Sequence, residues 1–454
     1  MNGDPLRIAV VGGGIAGLGA AHRLAARHRV TLFEAADYVG GHTRTVDATV
    51  GGVTHPVDTG FLVFNERTYP HLIALFDELG VETAGSDMSF SVSVGPHDFE
   101  WCGSDLGSLF AQPSNALSPR FWSMLADILR FNREATALAR DPARANDARV
   151  PLGAWLEANR YGRPFRDGYL LPMAAAIWSC PTATMLGFPV GSFARFCDNH
   201  GLLQVADRPR WFTVAGGARR YVERILAGLH DVRTSTPVRG VLRTPLDAGR
   251  DGRGSVAVIT DAGRETFDHV VLACHSDQSL AMLRDASPEE REILGAVPYQ
   301  PNRAYLHTDL ALMPKRRRAW AAWNYLSAGR FGEPAAAHGA SPAVAVTYWL
   351  NRLQPLPFAE PVLVTLNPPE PPREALTLKV VDYSHPVFDG AAIAAQRRLP
   401  AMQGVRNTWY AGAWTGYGFH EDGLKSGLSV AAAIASLGDA RRDPDAGREL
   451  AAAA

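Results

Sequence analysis

The spacing of apolar residues changes period along this chain, and each change predicts an element. RIAVV (Arg7–Val11) is an unbroken, largely β-branched apolar run that reads as a buried parallel strand. LGAAHRLAARH carries helical spacing, and VTLFEA reads as a second strand ending at Glu34. From about Gly95 to Arg210 the text turns helical and aromatic. There FWSMLADILRFNREATALAR keeps apolar residues at helical spacing, and GYLLPMAAAIWS is a second apolar segment. RWFTVAGGARRYVERIL puts Gly216 and Gly217 ahead of another helix, while TSTPVRGV and FDHVVLACHS read as strands. Alternation in PAVAVTYWLNRL and PVLVTLN suits an antiparallel sheet. NTWYAGAW closes the series as a strand, followed by a helix over DGLKSGLSVAAAIASL. No internal repeat is visible, and the Ala-rich end beyond Arg441 is expected to be disordered.

Between the first strand and the first helix, Gly12, Gly14 and Gly17 make G-x-G-x-x-G. The first glycine permits a tight turn, and the second lets backbone amides approach a pyrophosphate. The third lets helix and strand pack closely, with the anion at the helix N-terminus. Glu34 follows about 20 residues on, where an acid accepts ribose hydroxyls. Strand, loop, helix, strand and acid in register point to a dinucleotide.

Composition narrows the class. A chain of 454 residues has room for two or more domains and a sizeable core. Its 46% hydrophobic and 20% charged residues are ordinary for a soluble globular protein, and its net charge of -1 gives no reason to expect a nucleic-acid partner. Cys102, Cys180, Cys197 and Cys274 are scattered without a CxxC pair, so neither a disulfide framework nor a metal site is expected. No charged-then-apolar leader and no apolar run near the roughly 20 residues of a spanning helix are present. The expected location is cytoplasmic, with a peripheral place on the inner face of the cytoplasmic membrane left open.

After Glu34 comes ADYVGGHTRT, with Gly40, Gly41 and Arg44, then HPVDTGFLVF. Here the sequence resembles the flavin-binding amine oxidase and phytoene desaturase superfamily. The resemblance implies noncovalent FAD, with the glycine doublet and Arg44 at its diphosphate and Thr59, Gly60 and Phe61 in a short loop under the flavin. It also brings Ile15 and Ala16 of the first helix, Val238 on the adenine side and Ala273 into contact with FAD. The implied fold is α/β, a Rossmann-type FAD-binding domain with an interleaved α+β substrate domain. In that arrangement 1–95, 211–292 and 401–440 form the discontinuous FAD domain, 96–210 and 293–400 the substrate domain, and 441–454 a flexible tail.

The stretch GYGFHEDGLKSG (Gly416–Gly427) sits where the family turns a strand into a helix aimed at the flavin pyrimidine. Gly412, Ala413, Gly423 and Leu424 are therefore implied cofactor contacts, and backbone amides there favour negative charge on reduced flavin. Asp422 reads equally as a helix cap. His420 stands about where many amine oxidases place an aromatic cage residue, which weakens an amine oxidase reading. It is the candidate catalytic base, with Glu421 as the group poising it; a structural His420 is the alternative. Trp178, Tyr348, Asn351 and Tyr417 are candidate substrate contacts, each weighed against core packing or a turn role.

Loop text such as YLHTDLALMP, WLNRLQ and GFHEDGLKSG resembles one bacterial branch, related to methylated fatty acid desaturases of furan fatty acid biosynthesis. That resemblance implies hydride transfer to flavin from a methyl-branched unsaturated acyl chain carried on a phospholipid, with an upstream methyltransferase as a partner. A carotenoid- or squalene-type desaturase or isomerase, an amine oxidase, and a non-catalytic flavoprotein stay open. KRRRAWAAW combines Lys315, Arg316, Arg317 and Arg318 with Trp320 and Trp323, a pairing suited to an anionic membrane surface and equally to a solvated loop.

Overall fold

Four of the apolar runs and the short edge strand Asp231–Arg233 assemble into one parallel sheet, in the spatial order Asp231–Arg233, Arg29–Phe33, Arg7–Val11, His269–Leu272 and Thr408–Tyr410. The computed structural model describes residues 5–95, 98–205, 207–244, 255–327, 331 and 345–440; the tail over 441–454 lies outside these. Because the sheet is covered on both sides, its strands are buried almost throughout, which is why they read as continuous runs. Two helices, Ile15–Ala25 and His420–Ala440, pack on each other over this sheet. Glycines set that distance: a Cβ on Gly427 would strike the Ala16 carbonyl, and one on Gly19 would come 2.6 Å from Leu424.

A second, seven-stranded sheet runs Thr377–Pro386, Tyr299–His307, Leu363–Leu366, Ala345–Trp349, Trp323–Ser327, Phe90–Val94, Phe99–Cys102. It is antiparallel except where Trp323–Ser327 meets Phe90–Val94. The boundary drawn at residue 95 therefore falls inside a hairpin, and Phe90–Val94 belongs with the substrate-side sheet. The helical layer follows, led by Pro119–Ala139, with Leu171–Trp178 and Val190–Asn199 behind it. Of TSTPVRGV, only its final residues enter a strand, Gly240–Thr244; the rest is a connection from Asp231–Arg233. Among the described residues no helix is long and apolar enough to cross a membrane.

Candidate active site

The glycine loop positions the first part of the site. Gly12 has φ +106°, and a Cβ there would lie 2.7 Å from the Ala273 carbonyl, so the turn tolerates no side chain. Gly14 is the N-cap of Ile15–Ala25 with no side-chain cap, and a Cβ on it would stand in open space. Uncapped first-turn amides facing an open cradle are what a diphosphate requires. Gly40 donates to Gly13 O at 2.8 Å, tying the doublet to this loop. Glu34 accepts from the Gly13 and Ala36 amides at 2.7 and 2.8 Å, which fixes its carboxylate at the same rim.

One cavity of about 710 Å³ runs from this loop into the substrate side. Its wall includes Gly12, Gly14, Ile15, Ala16 and Glu34, then Gly40, Gly41, Thr59, Gly60 and Phe61. Val238, Ala273, Gly412 and Ala413 line it too. The residues present thus fit FAD along the Rossmann edge. Other implied contacts stand behind the wall. Gly17 packs on the Gly12 carbonyl, Gly423 faces Ile15, and Leu424 is fully buried between the two helices. Arg44 holds its guanidinium 4.3 Å from the Tyr38 ring centroid instead of entering the cavity. His42, directly after the doublet, takes the wall position. Its place beside Gly41 was the signal that could have found it.

His420 lines the cavity, but its Nε2 is already engaged by a neighbouring hydroxyl. Its ring stacks on Phe61 at 3.9 Å, and Nε2 lies 2.8 Å from the Tyr221 hydroxyl. Burial drives its pKa down to about 3. It also belongs to the helix and not to a loop, because Asp422 reaches back to accept the Phe419 amide at 3.0 Å and starts the helix at His420. Glu421 does not poise His420. Its carboxylate caps the helix Pro70–Leu79, accepting from the His71 and Leu72 amides at 2.8 and 3.0 Å, with His71 Nδ1 at 2.6 Å. The N-cap residue there, Tyr69, offers no side-chain cap of its own, which explains why a distant carboxylate serves.

Of the four candidate substrate contacts, Tyr348 lines the cavity. Trp178 donates to Tyr417 O at 3.2 Å within an aromatic cluster, and the Tyr417 hydroxyl accepts from Arg195 at 3.0 Å. Asn351 clasps a turn, accepting from Val362 N at 2.7 Å and donating to Phe358 O at 3.1 Å. Trp323, read as an interfacial residue, is instead in the cavity wall.

Sequence reasoning also missed a set of imidazoles. His42, His200, His275 and His385 join His420 around the cavity. Burial lowers all of them, His200 and His385 to about 4. Two have a determinable proton. His200 Nδ1 lies 2.9 Å from Phe196 O, a group that only accepts, so Nδ1 carries the hydrogen and Nε2 the lone pair. His385 Nδ1 faces the Asn302 amide nitrogen at 2.8 Å, so its hydrogen is on Nε2. Cys274 lies in the wall as a protonated thiol, its pKa pushed up to about 11 by burial.

Comparison with known proteins agrees with this geometry. The model of the family described as flavin containing amine oxidoreductase matches residues 15–315. A carotenoid phi-ring synthase of Streptomyces griseus is 30% identical over 346 residues, taking in 67% of this chain and 58% of the relative's length. Among solved structures, a cyclohexylamine oxidase from Brevibacterium oxydans IH-35A superposes with a TM-score of 0.68 at 15% identity, covering 95% of this chain and 99% of the other. A CLA-producing fatty acid isomerase from P. acnes gives 0.66 at 17%, again covering 95% and 99%. At such identities these two establish shared fold alone. With the family model matching well over half of its length, this chain belongs to the flavin-containing amine oxidoreductases, FAD-dependent enzymes of oxidation and reduction.

Proposed function

We propose that this enzyme dehydrogenates a methyl-branched unsaturated acyl chain, carried on a phospholipid. One observation carries the reading: beyond the nucleotide end, the cavity wall is apolar and aromatic. Met88, Ile177, Leu202, Trp323, Tyr348 and Leu366 face it, and among the described lining residues Glu34 is the sole acid, with no Lys or Arg. An ammonium entering such a chamber would find no carboxylate among the described lining residues at the substrate end to pair with its charge. An acyl chain gains about 0.8 kcal/mol per buried methylene.

FAD supplies the hydride acceptor when bound. The chain's own residues do the rest. Apolar walls hold an allylic C–H in place and keep water from a transition state with positive character at carbon. The neighbouring carbon loses a proton, completing the new double bond. His200 is assigned as its acceptor, because Nε2 has a lone pair and no hydrogen-bond partner among the described residues. His420 is assigned to positioning, since its Nε2 is engaged with Tyr221. The methyl branch places a methyltransferase acting on unsaturated acyl chains immediately upstream.

A polyene substrate is the second reading, supported by the similarity to a protein named as a carotenoid phi-ring synthase. Anaerobic flavin bleaching separates them. The yellow protein is mixed in turn with methyl-branched unsaturated phospholipids, unmethylated ones, carotenoid precursors and simple amines. Bleaching confined to the methylated lipids is expected. Bleaching by polyenes or amines alone would replace the reading.

A further inference from the structure

The helix Pro119–Ala139 turns one face to the helix Val190–Asn199, whose Phe196 lines the cavity. Its exposed side carries large apolar residues among polar ones such as Ser123 and Arg133. Trp122 and Leu129 stand two turns apart there, 52% and 62% exposed. Leu117, just ahead of the helix, is 88% exposed, and Leu106 on the short helix Leu106–Leu109 is 77% exposed. Trp122 adjoins both the short helix and the turn that carries Leu117. The Phe110 ring, directly after the short helix, lies 5.9 Å from that of Trp122, whose indole donates to Ala116 O at 2.9 Å.

The same short helix packs against the turn Arg317–Ala319. Buried Glu100 organises that turn. It accepts from the Lys315 and Arg316 amides at 2.7 and 3.1 Å and pairs with the Arg316 guanidinium at 2.9 Å. Arg316 is thereby drawn inward, while Lys315, Arg317 and Arg318 stay exposed. Trp320 is held by Pro314 O at 2.6 Å and is no free anchor.

We infer that this surface docks on an anionic lipid bilayer. Leu106, Leu117, Trp122 and Leu129 enter the acyl boundary, and Lys315, Arg317 and Arg318 meet headgroup phosphates. Exposed apolar side chains flanked by three exposed cations, with Asp105 at the N-cap of the short helix as the opposing charge, match that partner in chemistry and in net charge. The helices Pro119–Ala139 and Val190–Asn199 lie between this surface and the cavity. The inference does not depend on the proposed reaction, because binding is read without turnover.

The FAD-loaded full chain is floated with vesicles of equal parts phosphatidylglycerol and phosphatidylcholine, and with pure phosphatidylcholine. The native protein should float with the anionic vesicles and be released by raised salt. Arg317→Glu with Arg318→Glu, and separately Leu106→Ser with Leu117→Ser, should each cut the partition coefficient by at least about tenfold. Flavin absorbance and unfolding midpoint should stay unchanged in both variants, since these side chains are exposed. Absence of native binding, equal binding to both vesicle types, or variants that float like the native protein would overturn the docking surface. A bleaching result against methylated lipids would leave it standing.

Discussion

His420 and His200 differ in what their nitrogens touch. His420 stacks on Phe61 and meets Tyr221, so His420→Ala removes packing and a hydrogen bond and should cost about 2–4 kcal/mol of stability. Turnover at saturating FAD should stay within about tenfold of the native rate. His200→Ala, with FAD still bound, should lower turnover by roughly 10²–10⁴-fold, the range for loss of a general base. Single-turnover flavin reduction in the two variants checks both, and the reverse ranking would return the base role to His420. Glu421→Gln should act on stability: its carboxylate satisfies two amides of a helix it does not belong to. A loss of about 1–2 kcal/mol is expected in denaturant unfolding, with flavin content intact.

At the scale of elements, the strand–glycine turn–helix unit is the strictest part of the molecule. Gly12→Ala places a methyl group against the Ala273 carbonyl in a backbone conformation that alanine resists. The variant should fold and come off the column colourless, as flavin absorbance per chain will report; full flavin occupancy would contradict the role given to this turn. The C-terminal helix is the other decisive element. By starting at His420, it puts His420 on the cavity and Glu421 on a neighbouring helix, although the two are adjacent in the chain. Helical geometry alone separates their roles, because successive residues point about 100° apart.

The whole molecule has a marked distribution of buried titratable groups. His200, His307 and His385 are lowered to about 4, and His420 to about 3. Near pH 5 these four bind protons in the unfolded chain and not in the fold, so each makes stability rise with pH. Asp58 and Asp422 run the other way, raised to about 6 by burial; near pH 5 they are protonated in the fold and ionised in the unfolded chain. Four groups outweigh two. Stability should therefore climb through pH 4.5–6.5 at about 2 kcal/mol per pH unit, then flatten above the free histidine pKa. A thermal unfolding series across that window checks the sign, and a falling midpoint would show that the buried carboxyls dominate.

Local pattern determined much of this protein. Continuous apolar runs marked the parallel strands, since burial on both faces leaves no polar position, and the glycine spacing marked the nucleotide turn through sterics acting over a few residues. Gly12, Gly14, Glu34, Gly40 and Gly41 were legible for that reason. Tertiary structure decided what depends on direction and distance. Arg44 and Trp178 turned away from the cavity, His42 and His385 turned into it, and Glu421 found its partners in a helix some 350 residues earlier in the chain. The pKa of His420 was likewise out of reach of the sequence, because it is set by the desolvation that only the packed fold imposes.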